Sequence, residues 1–198
     1  MSAGAIYLIR HGETLWNVEG RRQGSLDSPL TERGVGQAVA AGRALRAILG
    51  DRRDVAVECS PLGRARLTAE IVCHELGWPS AAIAIQPLLA EHRQGDWEGL
   101  TAPEVDARFP GARAARERDK WSYRFPGGES YADVYQRART WLAAQSSDAH
   151  TVAVTHEMMS RTLMGAYASY SPGEMLALSH PHGHVVRLCG GAVERGAA

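Results

Sequence analysis

Short runs of aliphatic and β-branched residues alternate along the chain with longer segments whose apolar positions recur every three to four residues. The short runs are typical of buried strands, and the longer segments are typical of helices that bury one face. Five strands are predicted in this way, at residues 6–9, 55–59, 82–85, 151–155 and 185–188.

Four helices are predicted between these strands. The clearest covers residues 31–49 and is followed by Gly50. A second covers 60–76, with Ser60 as its cap, Pro61 at the first helical position and Gly77 after its end. The others run from 131 to about 145 and from about 160 to 168. Alternation of strands and helices favours an α/β fold, a three-layer α/β/α sandwich around a mostly parallel sheet.

The composition narrows the class of protein. A chain of 198 residues suits a single domain over 1–198, and its 22 basic and 22 acidic residues give no reason to expect a nucleic-acid or membrane partner. Three cysteines without a ligand spacing suit a reducing compartment, and no signal peptide or membrane helix is recognisable. We therefore expect a cytoplasmic protein whose oligomeric state is open.

The segment 101–126 differs from the rest because it is rich in charge and interrupted by proline. Taken alone, it is typical of a solvated helix or loop. The alternative is a lid-like insertion at about 101–130 that contributes cations to a site. Its basic residues are Arg108, Arg113, Arg116, Arg118, Lys120 and Arg124.

Residues suited to phosphate binding follow three of the predicted strands. Arg10 and His11 follow the first, Ser60 and, one turn later, Arg64 follow the second, and His156 follows the fourth. Because parallel strands bring their carboxyl ends to one edge of a sheet, we expect these side chains to converge. The start of the second helix would add free N–H groups, which bind anions.

This set of residues points to phosphoryl transfer through a histidine. Arginine forks match phosphate oxygens, and a neutral imidazole can attack phosphorus. Nearby guanidinium groups favour the neutral form of His11, and the carbonyl of Gly12 is a candidate acceptor that would fix its tautomer. Glu91, after the third strand, is a candidate proton donor. No Walker loop or metal-ligand spacing is present, so neither metal nor cofactor is expected.

The ordered motifs resemble the histidine phosphatase superfamily, which includes phosphoglycerate mutases and phosphomonoesterases, over nearly the whole chain. This resemblance implies a phosphoglycerate mutase-like fold in which His11 is the phosphorylated nucleophile. It also implies that Arg10, Arg64 and His156 hold the phosphoryl group, that Glu91 is general acid and then base, and that Asn17 is a further ligand. The matching residues are Arg10, His11, Gly12, Glu13, Asn17, Ser60, Pro61, Leu62, Gly63, Arg64, Ala65, Glu91, Gly95 and His156.

The middle and C-terminal segments look most like a fructose-2,6-bisphosphatase domain. By this resemblance, Arg116, Lys120, Tyr131 and Arg161 would hold a second anionic group of the substrate. Two positions depart from that pattern, because Ala102 stands in place of a tyrosine and Glu157 in place of a glutamine. An ionised Glu157 would repel a second phosphate unless Arg161 or Lys120 neutralises it. Gln23, Gly24 and Glu157 complete the candidate substrate-binding residues.

The leading hypothesis is a metal-independent phosphomonoester hydrolase that acts on a small phosphorylated metabolite through a phosphohistidine. A sugar phosphate such as fructose 2,6-bisphosphate is a candidate substrate. Phosphoglycerate mutase-type phosphoryl transfer is the alternative reaction, and a non-catalytic phosphoester-binding protein is an alternative class. A third possibility is a metal site at His180, His182 and His184, which alternate as they enter the last predicted strand.

Overall fold

The computed structural model of the protein describes residues 4–195. Within this range six strands form one sheet in the order β3-β2-β4-β1-β5-β6. Neighbouring strands from β3 to β1 pair in parallel, whereas β5 is antiparallel to both β1 and β6. The strands are β1 (Ile6–Arg10), β2 (Val55–Cys59), β3 (Ile83–Ile85), β4 (His150–Thr155), β5 (Val185–Cys189) and β6 (Ala192–Arg195).

Eight α-helices connect the strands within the same range. They are α1 (Leu15–Val18), α2 (Glu32–Leu49), α3 (Gly63–Leu76), α4 (Ala102–Arg108), α5 (Ala112–Arg118), α6 (Tyr131–Ala143), α7 (Glu157–Tyr167) and α8 (Pro172–Ala177). Short 3₁₀ turns lie at Ser80–Ala82, Pro87–Leu89 and Gly95–Trp97. None of the helices in residues 4–195 has the length and hydropathy to cross a membrane.

The two faces of the sheet are covered by different helix pairs, because successive strand side chains point to opposite faces. In β1, Tyr7 and Ile9 belong to the core under α2 and α3. Ile6 and Leu8 belong to the core under α6 and α7. Complete burial of an aliphatic side chain such as Leu8 contributes about 2 kcal/mol. The three-layer α/β/α fold with a mostly parallel sheet is therefore confirmed.

Two predicted helix starts were wrong. Helix α3 begins at Gly63, with Leu62 as its N-cap, and Pro61 precedes the helix. The carboxylate of Asp27, distant in sequence, accepts the N–H groups of Gly63 and Arg64. The start of α3 that was predicted to bind an anion is thus already capped by the protein. Helix α7 begins at 157 rather than about 160, directly after β4.

Smaller differences concern short elements. The strand predicted at 82–85 covers Ile83–Ile85, and β6 was not predicted, since its four residues are mostly exposed and lack an apolar alternation. The helices predicted from 31 and from 131 begin at or one residue after the predicted start. Such boundaries depend on hydrogen bonds to neighbouring segments as well as on local sequence.

The charged segment 101–126 contains two short helices, α4 and α5, joined by a turn. Thr101 and Glu104 form a capping box at the start of α4. Beneath the helices, Trp97, Val105 and Phe125 form a small buried cluster of their own. This segment thus combines an exposed charged surface with an apolar underside. Its role as a lid remains a prediction.

Candidate active site

Residues that follow β1, β2 and β4 meet at the carboxyl edge of the sheet, because these three strands are parallel neighbours in the sheet. The backbone N–H of His11 donates to Thr155 O (2.9 Å), and that of Ser60 donates to Val154 O (3.0 Å). The rings of His11 and His156 lie 5.1 Å apart, centroid to centroid. Side chains separated by up to 145 positions in the sequence therefore share one site.

His11 is held in a single tautomer at the centre of this site. Its Nδ1 lies 2.7 Å from the carbonyl oxygen of Gly12, the acceptor predicted from the sequence. Nδ1 therefore carries the proton and Nε2 carries the lone pair. Burial and the positive charges of Arg64 and Arg10 hold the pKa of His11 well below its usual value. The imidazole is thus neutral at physiological pH.

Gly12 allows the backbone turn that positions His11. A Cβ at Gly12 would lie 2.2 Å from the carbonyl oxygen of Gly34 in α2. In the reverse direction, a Cβ at Gly34 would lie 2.0 Å from the carbonyl oxygen of Glu13. Because both contacts are to backbone, neither side could yield easily. This pair of glycines lets α2 approach the histidine turn closely.

His156 is fully buried beside His11. Its Nε2 lies 2.7 Å from the hydroxyl of Ser60, whereas Nδ1 has no hydrogen-bond partner. When the Ser60 hydroxyl donates to Nε2, Nδ1 carries the proton and is a free donor. Burial, followed by the charges of Arg64 and His11, holds the pKa of His156 well below its usual value.

Arg64 is fixed by three partners from one loop. Its Nη1 donates to Leu26 O (2.6 Å) and to Asp27 Oδ1 (3.0 Å), and its Nη2 donates to Gly24 O (2.9 Å). Only 1% of its side chain is exposed. Asp27 was not recognised from the sequence, because its role depends on the folding of residues 24–27 over α3.

Arg10 is the second arginine that acts electrostatically on His11. Its Nη1 donates to Glu157 Oε2 (2.7 Å) and to the carbonyl oxygen of His180 (3.1 Å). Burial lowers the pKa of its guanidinium, although the neighbouring Glu157 and Glu91 act in the opposite direction. Both carboxylates therefore lie within electrostatic reach of this arginine.

Several buried polar atoms around the site have no hydrogen-bond partner. Most buried polar groups in proteins are paired, so unpaired ones call for an explanation. Three of the atoms are N–H donors on Arg10, Arg64 and His156, the residues predicted to hold a phosphoryl group. An anion with several acceptor oxygens would satisfy such donors. The unpaired atoms of this region are Arg10 Nε, Arg22 Nε, Gln23 Oε1, Arg64 Nε and His156 Nδ1.

Glu91 lies between the loop after β3 and the start of α7. Its carboxylate accepts N–H groups of His92 (2.9 Å), Met159 (3.3 Å) and Met158 (3.4 Å). Its charge raises the pKa of both Arg10 and Arg64, which places it within electrostatic reach of both arginines. The carboxyl group predicted as proton donor is therefore part of the same cluster.

Glu157 bridges two of the predicted cations. Its Oε2 pairs with Arg10, and its Oε1 accepts from Nε (2.7 Å) and Nη2 (2.6 Å) of Arg161. The carboxylate is only 12% exposed. The sequence left open whether Arg161 neutralises Glu157, and this ion pair is present in the structure. Arg10 neutralises the same carboxylate.

The remaining predicted cations lie in segment 101–126. Arg116 and Lys120 both pair with the exposed carboxylate of Glu117, at 2.8 and 2.7 Å. The hydroxyl of Tyr131 donates to the sulfur of Met158, and burial raises the pKa of Tyr131 to about 12. Arg161 and Arg116 both act electrostatically on Tyr131, so these three residues share one side of the site. Lys120 is 40% exposed and lies further out.

Of the three substrate-binding residues predicted in the first loops, Gln23 and Gly24 lie beside Arg64, whereas Asn17 is engaged within its own helix. Asn17 caps α1, since its Oδ1 accepts from the N–H and hydroxyl of Thr14, both at 3.0 Å. Gln23 is buried with an unpaired Oε1. Gly24 contributes its carbonyl oxygen to Arg64. Gln23 and Gly24 thus adjoin the arginine, whereas the side-chain oxygen of Asn17 is engaged locally.

The three C-terminal histidines do not form a metal site. His180 and His182 precede β5 rather than entering it, and their rings contact protein groups instead of a common point. His180 lies 2.5 Å from the Ser160 hydroxyl and 3.0 Å from His184 O, and His182 lies 2.5 Å from His11 O. Among residues 4–195, no cluster of three possible ligands could hold a metal ion.

Besides Asp27, two further residues lie near the site: His182, which was considered only as a possible metal ligand, and Arg22, which was not singled out. The ring of His182 lies 5.4 Å from that of His11, and burial lowers the pKa of His182 to about 4. Arg22 is partly buried between residues 20–28 and 94–100. In the sequence Arg22 is indistinguishable from its neighbour Arg21, so no local signal could have found it.

The chain is similar to several known proteins in sequence and in fold. The sequence profile of the histidine phosphatase superfamily (branch 1) matches residues 6–193. Glucosyl-3-phosphoglycerate phosphatase of Mycobacterium tuberculosis is 38% identical over 168 residues, which cover 79% of this chain and 71% of that protein. The 6-phosphofructo-2-kinase/fructose-2,6-bisphosphatase of Gallus gallus is 33% identical over 184 residues, which cover 93% of this chain and 37% of that protein. The crystal structure of the alpha-ribazole phosphatase from Shigella flexneri superposes with a TM-score of 0.81 at 27% identity, covering 97% of this chain and 94% of that one.

Proposed function

The chain belongs to the histidine phosphatase superfamily and is a phosphatase, and on this basis we propose that it hydrolyses phosphomonoesters through a phosphohistidine at His11. The main support for this proposal is the protonation state and tautomer of His11. Its imidazole is neutral, its Nδ1 proton is fixed on Gly12 O, and its Nε2 lone pair is free to attack. Arg10, Arg64 and His156 surround it with unpaired N–H donors.

In the first half of the reaction, the Nε2 lone pair of His11 attacks the phosphorus of the ester. The new N–P bond forms while the bond from phosphorus to the ester oxygen breaks. The carboxylic acid of Glu91 gives its proton to that oxygen, so the alcohol leaves neutral. Arg10, Arg64 and His156 Nδ1 donate to the equatorial oxygens, where negative charge accumulates.

In the second half, the carboxylate of Glu91 takes a proton from water as the water oxygen attacks phosphorus. The N–P bond breaks, inorganic phosphate leaves, and His11 regains its lone pair. Glu91 returns to the acid form, so protons balance over the cycle. In this scheme Gly12 O stabilises the positive charge that develops on the imidazole of His11.

We propose a small phosphorylated metabolite as the substrate, with sugar phosphates such as fructose 2,6-bisphosphate and phosphoglycerate derivatives as candidates. The relatives named for glucosyl-3-phosphoglycerate and fructose 2,6-bisphosphate support this class. A balance of 22 basic and 22 acidic residues gives no support to a nucleic-acid partner. A cytoplasmic location remains a prediction from the cysteine content.

Release of inorganic phosphate from a panel of these esters tests the proposal. His11→Ala is expected to lower kcat by about 10³-fold or more, since it removes the nucleophile. His74→Ala is the matched control, because His74 lies exposed on α3, and its activity should equal that of the wild type. Enzyme quenched in alkaline detergent should carry phosphate on histidine, and brief treatment with acid should release it because the N–P bond is acid-labile. Undiminished turnover by His11→Ala would exclude the proposed nucleophile.

The alternative is phosphoryl transfer to a second hydroxyl, as in a phosphoglycerate mutase. Both reactions require the same phosphohistidine, and they differ in whether water or a substrate hydroxyl attacks it. Incubation with 3-phosphoglycerate distinguishes them. Phosphate release supports hydrolysis, whereas formation of 2-phosphoglycerate without phosphate release would support the mutase reaction.

A further inference from the structure

Arg22 is a cation whose charged group is bound only by neutral partners. Its Nη1 donates to the amide oxygen of Gln94 at 3.0 Å, and its guanidinium carbon lies 5.1 Å from the ring centroid of Trp97. Its Nε is buried and unpaired. Within residues 4–195, no carboxylate lies at ion-pair distance from it.

A second guanidinium is held in the same manner next to it. The guanidinium carbon of Arg116 lies 5.6 Å from the ring centroid of Phe125. The rings of Phe125 and Trp97 are in edge contact, with their centroids 4.9 Å apart. The ring planes meet at 81°, so each ring carries one arginine. We call this pair of contacting rings the Trp97–Phe125 platform.

The two arginines repel each other. Burial and the like charges of Arg116 and Arg113 lower the pKa of Arg22. Two cations side by side in a partly buried setting are costly unless an anion lies between or beside them. The carboxylates of Glu117 and Asp106 act on Arg22 electrostatically, but both are more than half exposed. Glu117 is shared between Arg116 and Lys120, and Asp106 pairs with Arg113.

The other cations around the site already have carboxylate partners. Arg161 pairs with Glu157, Arg113 pairs with Asp106, and Arg21 pairs with Glu19 and Glu104. An anionic group that approached Arg161 would also approach Glu157. Among residues 4–195, Arg22 has no carboxylate at ion-pair distance, and Glu117 and Asp106 act on it only electrostatically.

The backbone connects Arg22 closely to the reaction centre. Two residues after it, the carbonyl oxygen of Gly24 accepts from Arg64. Its partner Gln94 lies three residues after Glu91. Hydrogen bonds between Arg22 and residues 99–100 hold the two loops together, at 2.7 and 3.0 Å. Arg116 and Glu91 both act electrostatically on Tyr131 and on His92. The two arginines therefore lie on the Glu91 side of the site, where the proposed proton donor meets the leaving group.

The family resemblance already implies that Arg116 holds a second anionic group of the substrate. We propose that Arg22, which that resemblance does not include, binds the same group beside Arg116 on the Trp97–Phe125 platform, on the leaving-group side, and determines the preference for it. The class of substrate is then a phosphomonoester that carries a carboxylate or a further phosphate. This inference rests on the proposed function for the position of the transferred phosphoryl group. Arg22 acts as a specificity-determining residue and takes no part in the chemistry at phosphorus.

Two pairs of esters test the proposal. 3-Phosphoglycerate and glycerol 3-phosphate differ only in a carboxylate, and fructose 1,6-bisphosphate and fructose 6-phosphate differ only in a phosphate. Arg22→Gln keeps most of the side-chain length. It is expected to lower kcat/KM for the more anionic ester of at least one pair by about 10- to 100-fold, mainly through KM, as for lost bonds to a charged group. The less anionic ester should change by less than about 3-fold.

Arg21→Gln is the matched control, since Arg21 is adjacent but paired with carboxylates. Arg22→Lys should recover part of the preference because it restores the charge. Equal effects of Arg22→Gln on both members of each pair, or the same change of preference in Arg21→Gln, would overturn the proposal. Matched thermal unfolding curves show whether a variant is folded.

Calorimetric titration of the same esters separates this inference from the proposed function. It uses His11→Ala and His11→Ala/Arg22→Gln proteins, which bind without turnover. A selective loss of affinity for the more anionic ester supports the role of Arg22 even when the wild type releases no phosphate. Identical affinities in the two proteins overturn it, whatever the catalytic result.

Discussion

Replacement of Glu157 by glutamine is expected to lower the stability of the protein and to increase its affinity for phosphate. The carboxylate lies 2.7 Å from Arg10 and 2.6 Å from Arg161 and is only 12% exposed. Glu157→Gln keeps the shape of the side chain but removes its charge, which leaves two partly buried guanidinium groups uncompensated. We expect a loss of about 2 kcal/mol in the free energy of unfolding, below the range for a fully buried pair because solvent reaches these groups.

The same substitution should increase the affinity for phosphate. Glu157 competes with a bound phosphate for Arg10 and also repels it. At an effective dielectric constant of about 20, a unit charge and a doubly charged phosphate about 6 Å apart repel by about 5 kcal/mol. Since solvent and rearrangement absorb most of this energy, we expect about tenfold tighter binding, or about 1.4 kcal/mol.

Thermal unfolding in chloride and in phosphate of equal ionic strength measures both effects. In chloride, Glu157→Gln should melt about 4–8 °C below the wild type, as expected for a chain of this size. In saturating phosphate, the difference should shrink to about 0.6 kcal/mol, because tighter binding stabilises the folded state further. Glu194→Gln, which removes an exposed pair with Arg187, should respond equally in both salts. A difference that stays constant or widens in phosphate would refute the reasoning.

Two further predictions concern the backbone around His11 and the buried histidines. Gly34→Ala should lower the free energy of unfolding by more than about 2 kcal/mol and abolish phosphate release, because its Cβ would lie 2.0 Å from Glu13 O. Gly36→Ala in the same helix is the control, because a Cβ at Gly36 would have no atom within 4 Å. This variant should raise the free energy of unfolding by about 0.5–1 kcal/mol, as measured by urea unfolding. Similar effects of the two variants would contradict this account. Burial lowers the pKa of His180 from 6.5 to about 4, so the unfolded chain binds the extra proton between these pH values and stability falls as the pH falls. Between pH 7 and pH 5, this histidine alone should lower the free energy of unfolding by about 2 kcal/mol. His180→Asn should remove that part of the pH dependence, as measured by urea unfolding at both pH values. An unchanged pH profile in His180→Asn would disprove this assignment.

The strands and the main helices could be predicted because their apolar periodicity is local. Residues 55–59 and 31–49 show the expected patterns, and the structure differs there by at most one residue. The start of α3 could not be predicted, because Asp27 decides it from a distant loop. The short helices α4 and α5 were left open, since their charged sequence is also compatible with a solvated loop.

The candidate site was predictable to the extent that strand order determines it. Arg10, His11 and His156 follow adjacent parallel strands, so their convergence follows from the α/β pattern. The partners that hold them, such as Asp27 for Arg64, come from loops with no periodicity. Their assignment to catalytic roles remains the proposal that the His11 experiment tests.

The sequence by itself determined the layered fold, the edge of the sheet at which the candidate site lies, and the set of side chains proposed to bind phosphate. These follow from local patterns and from the rule that parallel strands end together. The tertiary structure alone decided the charge state of that site: Glu157 is paired with Arg10 and Arg161, while Arg22 has no carboxylate partner among residues 4–195. Charge balance depends on distances between segments far apart in the sequence, and those distances exist only after the chain has folded.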